Sequence, residues 1–192
     1  MTSRVMLISP AISAALREAR FDDGCPVDAA GLRNAEAAAG SLPAPDRALF
    51  SPGVRCRDTA AALGLDAAAE PEVAGLDVGR WRGATLAEVS TDEPEAVARW
   101  LTDPSCAPHG GESLHGLCDR VEKWLESAGQ FSGRIVAVVE PEIVRAVMVR
   151  TLGAPESAFW RIDVPPLTGT ELSGRDGRWN VRVGRALGDF GD

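Results

Sequence analysis

The sequence predicts a three-layer α/β/α sandwich around a mostly parallel sheet, with an antiparallel edge at its C-terminal end. Three observations carry this expectation. Short apolar runs alternate with segments of helical spacing along most of the chain. One run, "RIVAVV" (134–139), is apolar without interruption, as a strand buried on both faces of a parallel sheet must be. Two segments near the C-terminus, "TGTELSG" and "RWNVRV", flank the turn Gly174-Arg175-Asp176-Gly177 and read as a hairpin.

In chain order, the first strand is Arg4 to Ile8, ending at Ser9-Pro10-Ala11 and followed by the helix-like "ISAALREARF". "VDAAGLRNAEAAAG" is a helix by its alanine content, closed by Gly40. Arg47 to Phe50 is a short buried strand. The next helix is expected to start with Ser51 as its cap and Pro52 at its first position, and to stop at Gly64. The stretch 66–111 is less regular, with a short helix, "EPEAVARWL", beginning after Asp92. In "GGESLHGLCDRVEKWLESAG", Leu114, Leu117, Cys118, Val121, Trp124 and Leu125 form one apolar stripe of an amphipathic helix. "EIVRAVMVRTLG" is the helix after the apolar strand, and 184–192 are expected to form a loose tail.

At 192 residues the chain suits one domain, 1–192, with a sizeable core. Its net charge of -8 argues against nucleic acid or an anionic membrane surface as partner. Lys123 is the only lysine, which fits GC-rich coding rather than a mechanism. The first ten residues do not form a secretory signal, and no run approaches the ~20 apolar residues that span a bilayer. A cytoplasmic setting with reduced cysteines is expected for Cys25, Cys56, Cys106 and Cys118. No sequence pattern calls for a cofactor.

Several features invite chemistry, each with a plainer alternative. Cys106, His109, His115 and Cys118 are all zinc-competent types, but their spacing fits no standard zinc motif and Cys118 lies in the apolar stripe, so no metal is expected. Cys56, between Arg55 and Arg57, could be activated; a buried inert thiol is the expectation. The tryptophans read as packing, and "DEPE" (92–95) as a solvated helix start.

Four segments, taken in order, resemble the histidine phosphatase superfamily, the phosphoglycerate mutase-like proteins. "LFSPGVRCRDTAAAL" is similar to that family's "SSPLxRAxQTAxxL" element, and "LDVGRWRGATLAEV" to its "DFGxWEGxTxxEI" segment. "ARWLTDPSCAPHGGESLHGLCDRVEKWL" is similar to the stretch ending in "PGGES" and its helix, and "FWRIDVPPLTGTEL" to the last helix and following strand. The match covers roughly residues 4 to 183. It implies a phosphoryl-transfer pocket in which a histidine attacks phosphorus while arginines and a second histidine hold the charge.

Carried over position by position, the resemblance implies a depleted pocket. The family's "RHG" falls on Ser9-Pro10-Ala11, so Ser9 replaces the clamping arginine and Pro10 the nucleophile. The second clamping arginine is kept as Arg55. The proton donor falls on Gly75, and the second histidine on Glu140. Arg20 and Glu112 match a basic residue and the glutamate of "GGES". Proline's nitrogen is a tertiary amide that cannot attack. A carboxylate ~4 Å from a phosphate oxygen costs on the order of 1–4 kcal/mol.

The expected function is therefore that of a catalytically inactive pseudophosphatase, binding a small anionic ligand or a protein partner through Ser9, Pro10, Arg20, Arg55, Glu112 and Glu140. Arg55 is expected to pair with Glu140. The alternatives are an enzyme of altered chemistry, with Glu140 as base and Arg55 as anion anchor, and a residual phosphatase or mutase. The oligomeric state is open, a homodimer being the common default.

Overall fold

The computed structural model describes residues 2–175 and 177–187. Six strands form one sheet: β1 (Ser3–Ile8), β2 (Arg47–Phe50), β3 (Ala68–Ala69), β4 (Arg134–Val138), β5 (Thr168–Arg175) and β6 (Arg178–Ala186), in the order β3-β2-β4-β1-β5-β6. β1, β2, β3 and β4 pair in parallel, while β5 runs antiparallel to β1 and β6 to β5. The mixed sheet with its antiparallel edge is the one expected from the sequence.

Alternation along the central strands builds two cores. Val5 and Leu7 of β1, with Ile135 and Ala137 of β4, face α6 (Leu114–Gln130) and α7 (Pro141–Leu152). Met6 and Ile8, with Val136 and Val138, face α2 (Ala29–Ala38) and α3 (Val54–Ala62). Both faces of β4 are covered, which is why its sequence shows no polar alternation. The predicted stripe of α6 is all buried, and each large side chain in it contributes about 1.5–3 kcal/mol. Ser113 caps α6 by accepting from Gly116 N; α7 has Pro141 in its first turn and left-handed Gly153 at its end.

The irregular middle of the chain forms a third cluster beyond the strand ends. It contains α4 (Leu86–Asp92) and α5 (Pro94–Thr102), with α1 (Ala14–Arg17) preceding it in the chain. Trp81, Val89, Val97 and Trp100 are its buried members. Two chain segments cross closely there. Glu112 N donates to Asp77 O at 2.8 Å and Arg80 N to His109 O at 3.0 Å. A Cβ on Gly111 would fall 2.0 Å from Asp77 O, so only glycine permits the crossing. This contact fixes residues 76–78, one wall of the cavity described below.

Two local expectations are corrected. α3 begins at Val54 with Gly53 at its cap, not at Pro52. The Ser51 hydroxyl is drawn away from the helix and donates to Val73 O at 2.5 Å. Residues 184–186, expected in the loose tail, continue β6 to Ala186; 188–192 lie outside the described residues, as does Asp176 of the hairpin turn. Among the described residues no helix is long and apolar enough to cross a membrane.

Candidate functional site

The C-terminal ends of β1, β2 and β4 open toward a cavity of about 490 Å³, the position where open α/β sheets hold ligands. The sheet bonding carries on past the strands, with Ser51 N donating to Val138 O and Val139 N to Ile8 O. These bonds set Ser51 and Glu140 side by side at the cavity floor. Arg55 enters from the first turn of α3.

Arg55 and Glu140 form a bidentate ion pair. Arg55 Nε lies 2.8 and 3.0 Å from the two Glu140 oxygens, and Nη2 is 2.5 Å from Oε2. Both residues are buried. Burial works against the Arg55 charge, but the bonds and attraction of Glu140 outweigh it, and its pKa is raised. Burial and the neighbouring Glu142 push Glu140 upward, while Arg55 pulls it back. The guanidinium cannot shed its proton and both bonds need carboxylate lone pairs, so the pair is ionised. The expected pairing is thus present, and it fills the seat an incoming oxyanion would take on Arg55.

The cavity's other groups are graded from inside to outside. Gly75 faces the acids: a Cβ there would lie 3.0 Å from Glu142 Oε1 and 3.1 Å from Glu140 Cγ. Glu142 also accepts from Leu76 N at 3.2 Å. Phe21, Trp100, Phe159 and Trp160 form an aromatic wall, with Trp100 and Trp160 packed edge-on at 4.4 Å between centroids. Arg20, Arg82 and Arg145 stand at the rim. Arg20 is held by Glu18 and the Gly83 carbonyl, Arg145 by the Ile162 carbonyl at 2.8 Å. Among the described residues, Arg82 has no side-chain partner, and its guanidinium lies against Gly24.

Of the six residues expected to line a binding pocket, the structure brings Arg20, Arg55 and Glu140 to this cavity. Ser9 and Pro10 are buried and are not part of its lining. The Ser9 hydroxyl donates to Pro165 O at 2.5 Å and accepts from Thr168 N at 3.0 Å, tying β1 to the start of β5. Glu112 lies away from the cavity lining and pairs with Arg120 at 2.8 Å. Glu142, Arg145, Arg82 and the aromatic wall are additions the sequence did not single out. Glu142 follows Glu140 by two residues in "VVEPE", which was its only visible signal.

Neither histidine reaches the cavity lining. His109 is buried edge-on against Trp81 and Trp100, accepts from Gly111 N at 3.1 Å, and is pulled below its ordinary pKa by burial. His115 is exposed and sits 2.9 Å from Glu156, which raises its pKa. The four residues Cys106, His109, His115 and Cys118 do not gather. Cys118 is in the main core, where burial pushes its thiol up to about 11. His115, Asp119 and Glu156 bring ligand atoms within 4.8 Å, but Arg150 already bridges the two acids at 2.6 and 3.0 Å. Cys56 is fully buried, 3.4 Å from Glu140; burial first, then that carboxylate, raise its thiol far above the reactive range.

A mostly parallel sheet flanked by helices on both faces, with a cavity at the C-terminal strand ends, defines an α/β sandwich of the open, ligand-binding kind. The chain belongs to the histidine phosphatase superfamily (branch 1), whose family model matches residues 15–185. It is 38% identical over 140 residues to the glucosyl-3-phosphoglycerate phosphatase of Mycobacterium tuberculosis, covering 62% of this chain and 60% of that one. It is 30% identical over 141 residues to a bifunctional protein of the same organism, covering 69% of this chain and 38% of that protein. The match thus spans less than two thirds of the length of these relatives. A solved mycobacterial glucosyl-3-phosphoglycerate phosphatase bound to vanadate superposes with a TM-score of 0.83 at 25% identity, over 96% of this chain and 99% of that one. A putative α-ribazole-5'-phosphate phosphatase of Escherichia coli shares the fold at a TM-score of 0.85 and 22% identity, over 97% and 98% of the chains.

Proposed function

We propose that this protein is a histidine-phosphatase-fold pseudoenzyme that binds a small organic ligand in the cavity at the strand ends and does not transfer phosphoryl groups. The observation that carries the reading is the buried Arg55–Glu140 pair. The one inner cation that could grip a phosphoryl group is already bonded to a carboxylate of its own chain. The chain's two histidines are both committed elsewhere, and Pro10 offers no nucleophile at the end of β1. The aromatic wall and the rim arginines support a ligand with an apolar or ring-bearing body and a peripheral anionic group.

Glu140 as a general base is the weaker reading. Burial favours a raised carboxyl, but both its oxygens are held by Arg55, so neither is free to take a proton from a substrate. The glucosyl-3-phosphoglycerate phosphatase named above makes a phosphatase assay the direct test. Against p-nitrophenyl phosphate, turnover is expected to stay at the level of the buffer blank. Turnover that disappears in Arg55→Ala would overturn the proposal.

A further inference from the structure

We propose a second ligand site on the face of the sheet beside the β5–β6 hairpin: an arginine-lined groove that takes a compact polyanion with two or three linked phosphoryl groups. The groove, about 840 Å³, lies between the segment 41–43 and the β5–β6 hairpin. Its side of the sheet is the one that carries Met6 and Ile8, where α2 and α3 cover the inner strands. The volume is that of a small-molecule site.

Strand register sets the charges. Arg4 of β1 and Arg134 of β4 are direct cross-strand partners, so two guanidiniums start from neighbouring positions. Across the groove, Arg182 of β6 stands opposite Glu171 of β5, itself opposite Met6. A bulge follows, with three steps of β6 from Arg182 to Arg185 matching two of β5 from Glu171 to Gly169. Gly184, at φ +78°, supplies the left-handed residue such a bulge uses. The extra residue returns Arg185 to the side of Arg182; in a regular strand the two would point to opposite faces. Among the described residues, all four arginines line the groove, against the single carboxylate Glu171.

Like charges gathered this way repel unless something answers them. Among the described residues, the side chains of Arg4, Arg182 and Arg185 have no hydrogen-bond or ion-pair partner, and Arg134 reaches only the Ala44 carbonyl at 3.3 Å. The chain carries a net charge of -8, and among the described residues none of its surplus acids forms an ion pair with these cations. Planar guanidiniums in two pairs, one on each side of a short groove, match two phosphoryl groups gripped bidentately. An extended acidic peptide or nucleic acid would need a longer basic track than this groove offers. Leu42 and Pro43 add an apolar flank that could seat a base or ring.

The site stands apart from the cavity at the strand ends, and the test separates them. Calorimetry of the full chain at low salt is expected to show saturable one-site binding of tripolyphosphate and pyrophosphate, with orthophosphate at least about tenfold weaker. Arg4→Gln and Arg182→Gln, each with an unchanged melting temperature, are expected to weaken tripolyphosphate about tenfold or more. Glu171→Gln is expected to tighten it, and the cavity-rim variant Arg82→Gln to leave it unchanged. ATP binding more tightly than tripolyphosphate identifies a nucleotide as the source of the phosphates; equal binding identifies a bare polyphosphate. No binding, binding indifferent to Arg4 and Arg182, loss in Arg82→Gln, or tighter binding of an oligonucleotide or polyglutamate would each overturn the proposal.

Discussion

A buried guanidinium and a buried carboxylate hold each other in place, and neither tolerates loss of the other. In Arg55→Ala, Glu140 would remain at the cavity floor with no countercharge and with Glu142 close by. The expected cost is about 3–5 kcal/mol, read as a fall in the urea midpoint at constant slope. Replacing both, with Arg55→Met and Glu140→Leu, is expected to recover most of that loss, since a buried pair is often no more stable than apolar side chains of like volume. The reverse experiment frees Arg55. In Glu140→Ala the guanidinium, together with the first N–H groups of α3, is expected to bind inorganic phosphate, seen as a larger phosphate-dependent rise in melting temperature than the parent shows. An equal rise in the parent would mean that Glu140 does not occupy the anion's seat.

At the scale of elements, the segment 66–111 shows how short pieces are held where strand pairing, among the described residues, is limited to β3 and a bridge from Arg20 to Thr85. α4 has seven residues and little burial of its own. It is defined by a capping box in which Thr85 Oγ1 accepts from Glu88 N and Glu88 returns a bond to Thr85 N. Thr85→Ala is expected to cost about 1 kcal/mol, checked as a lowered melting temperature with an unchanged main-core signal from Trp124. The same region marks the limit of what the sequence disclosed. β1, β4 and α6 were legible because burial on two faces or along one stripe leaves a periodic trace. The start of α3 was not, because Ser51 could cap a helix in principle and is instead claimed by Val73, twenty-two residues away. At the site, the Arg55–Glu140 contact could be anticipated from two family motifs. The inward turn of Ser9, the removal of Glu112 to Arg120 and the approach of Glu142 depend on tertiary bonds that carry no local signature.

On the scale of the whole molecule, the two ends of the sheet differ in what they present. The strand ends toward the cavity are enclosed by the aromatic cluster and the loops after β1, β2 and β4. The groove that starts from Arg4 and Arg134 at the opposite end and runs along β5 and β6 is open and basic on a chain that is acidic as a whole. The outer strands differ as well. β3 offers two residues for further pairing, and β6 offers nine, with Arg178, Arg182 and Arg185 along it. Replacing those three arginines with threonine is expected to increase self-association, measured as a higher weight-average mass in light scattering at the same concentration.

That asymmetry bears on how copies of this chain could meet. Growth by adding strand to strand is disfavoured by brevity on one flank and by mutual repulsion on the other. A two-fold assembly is therefore expected to form through helix faces or loops, leaving each protomer's sheet at six strands.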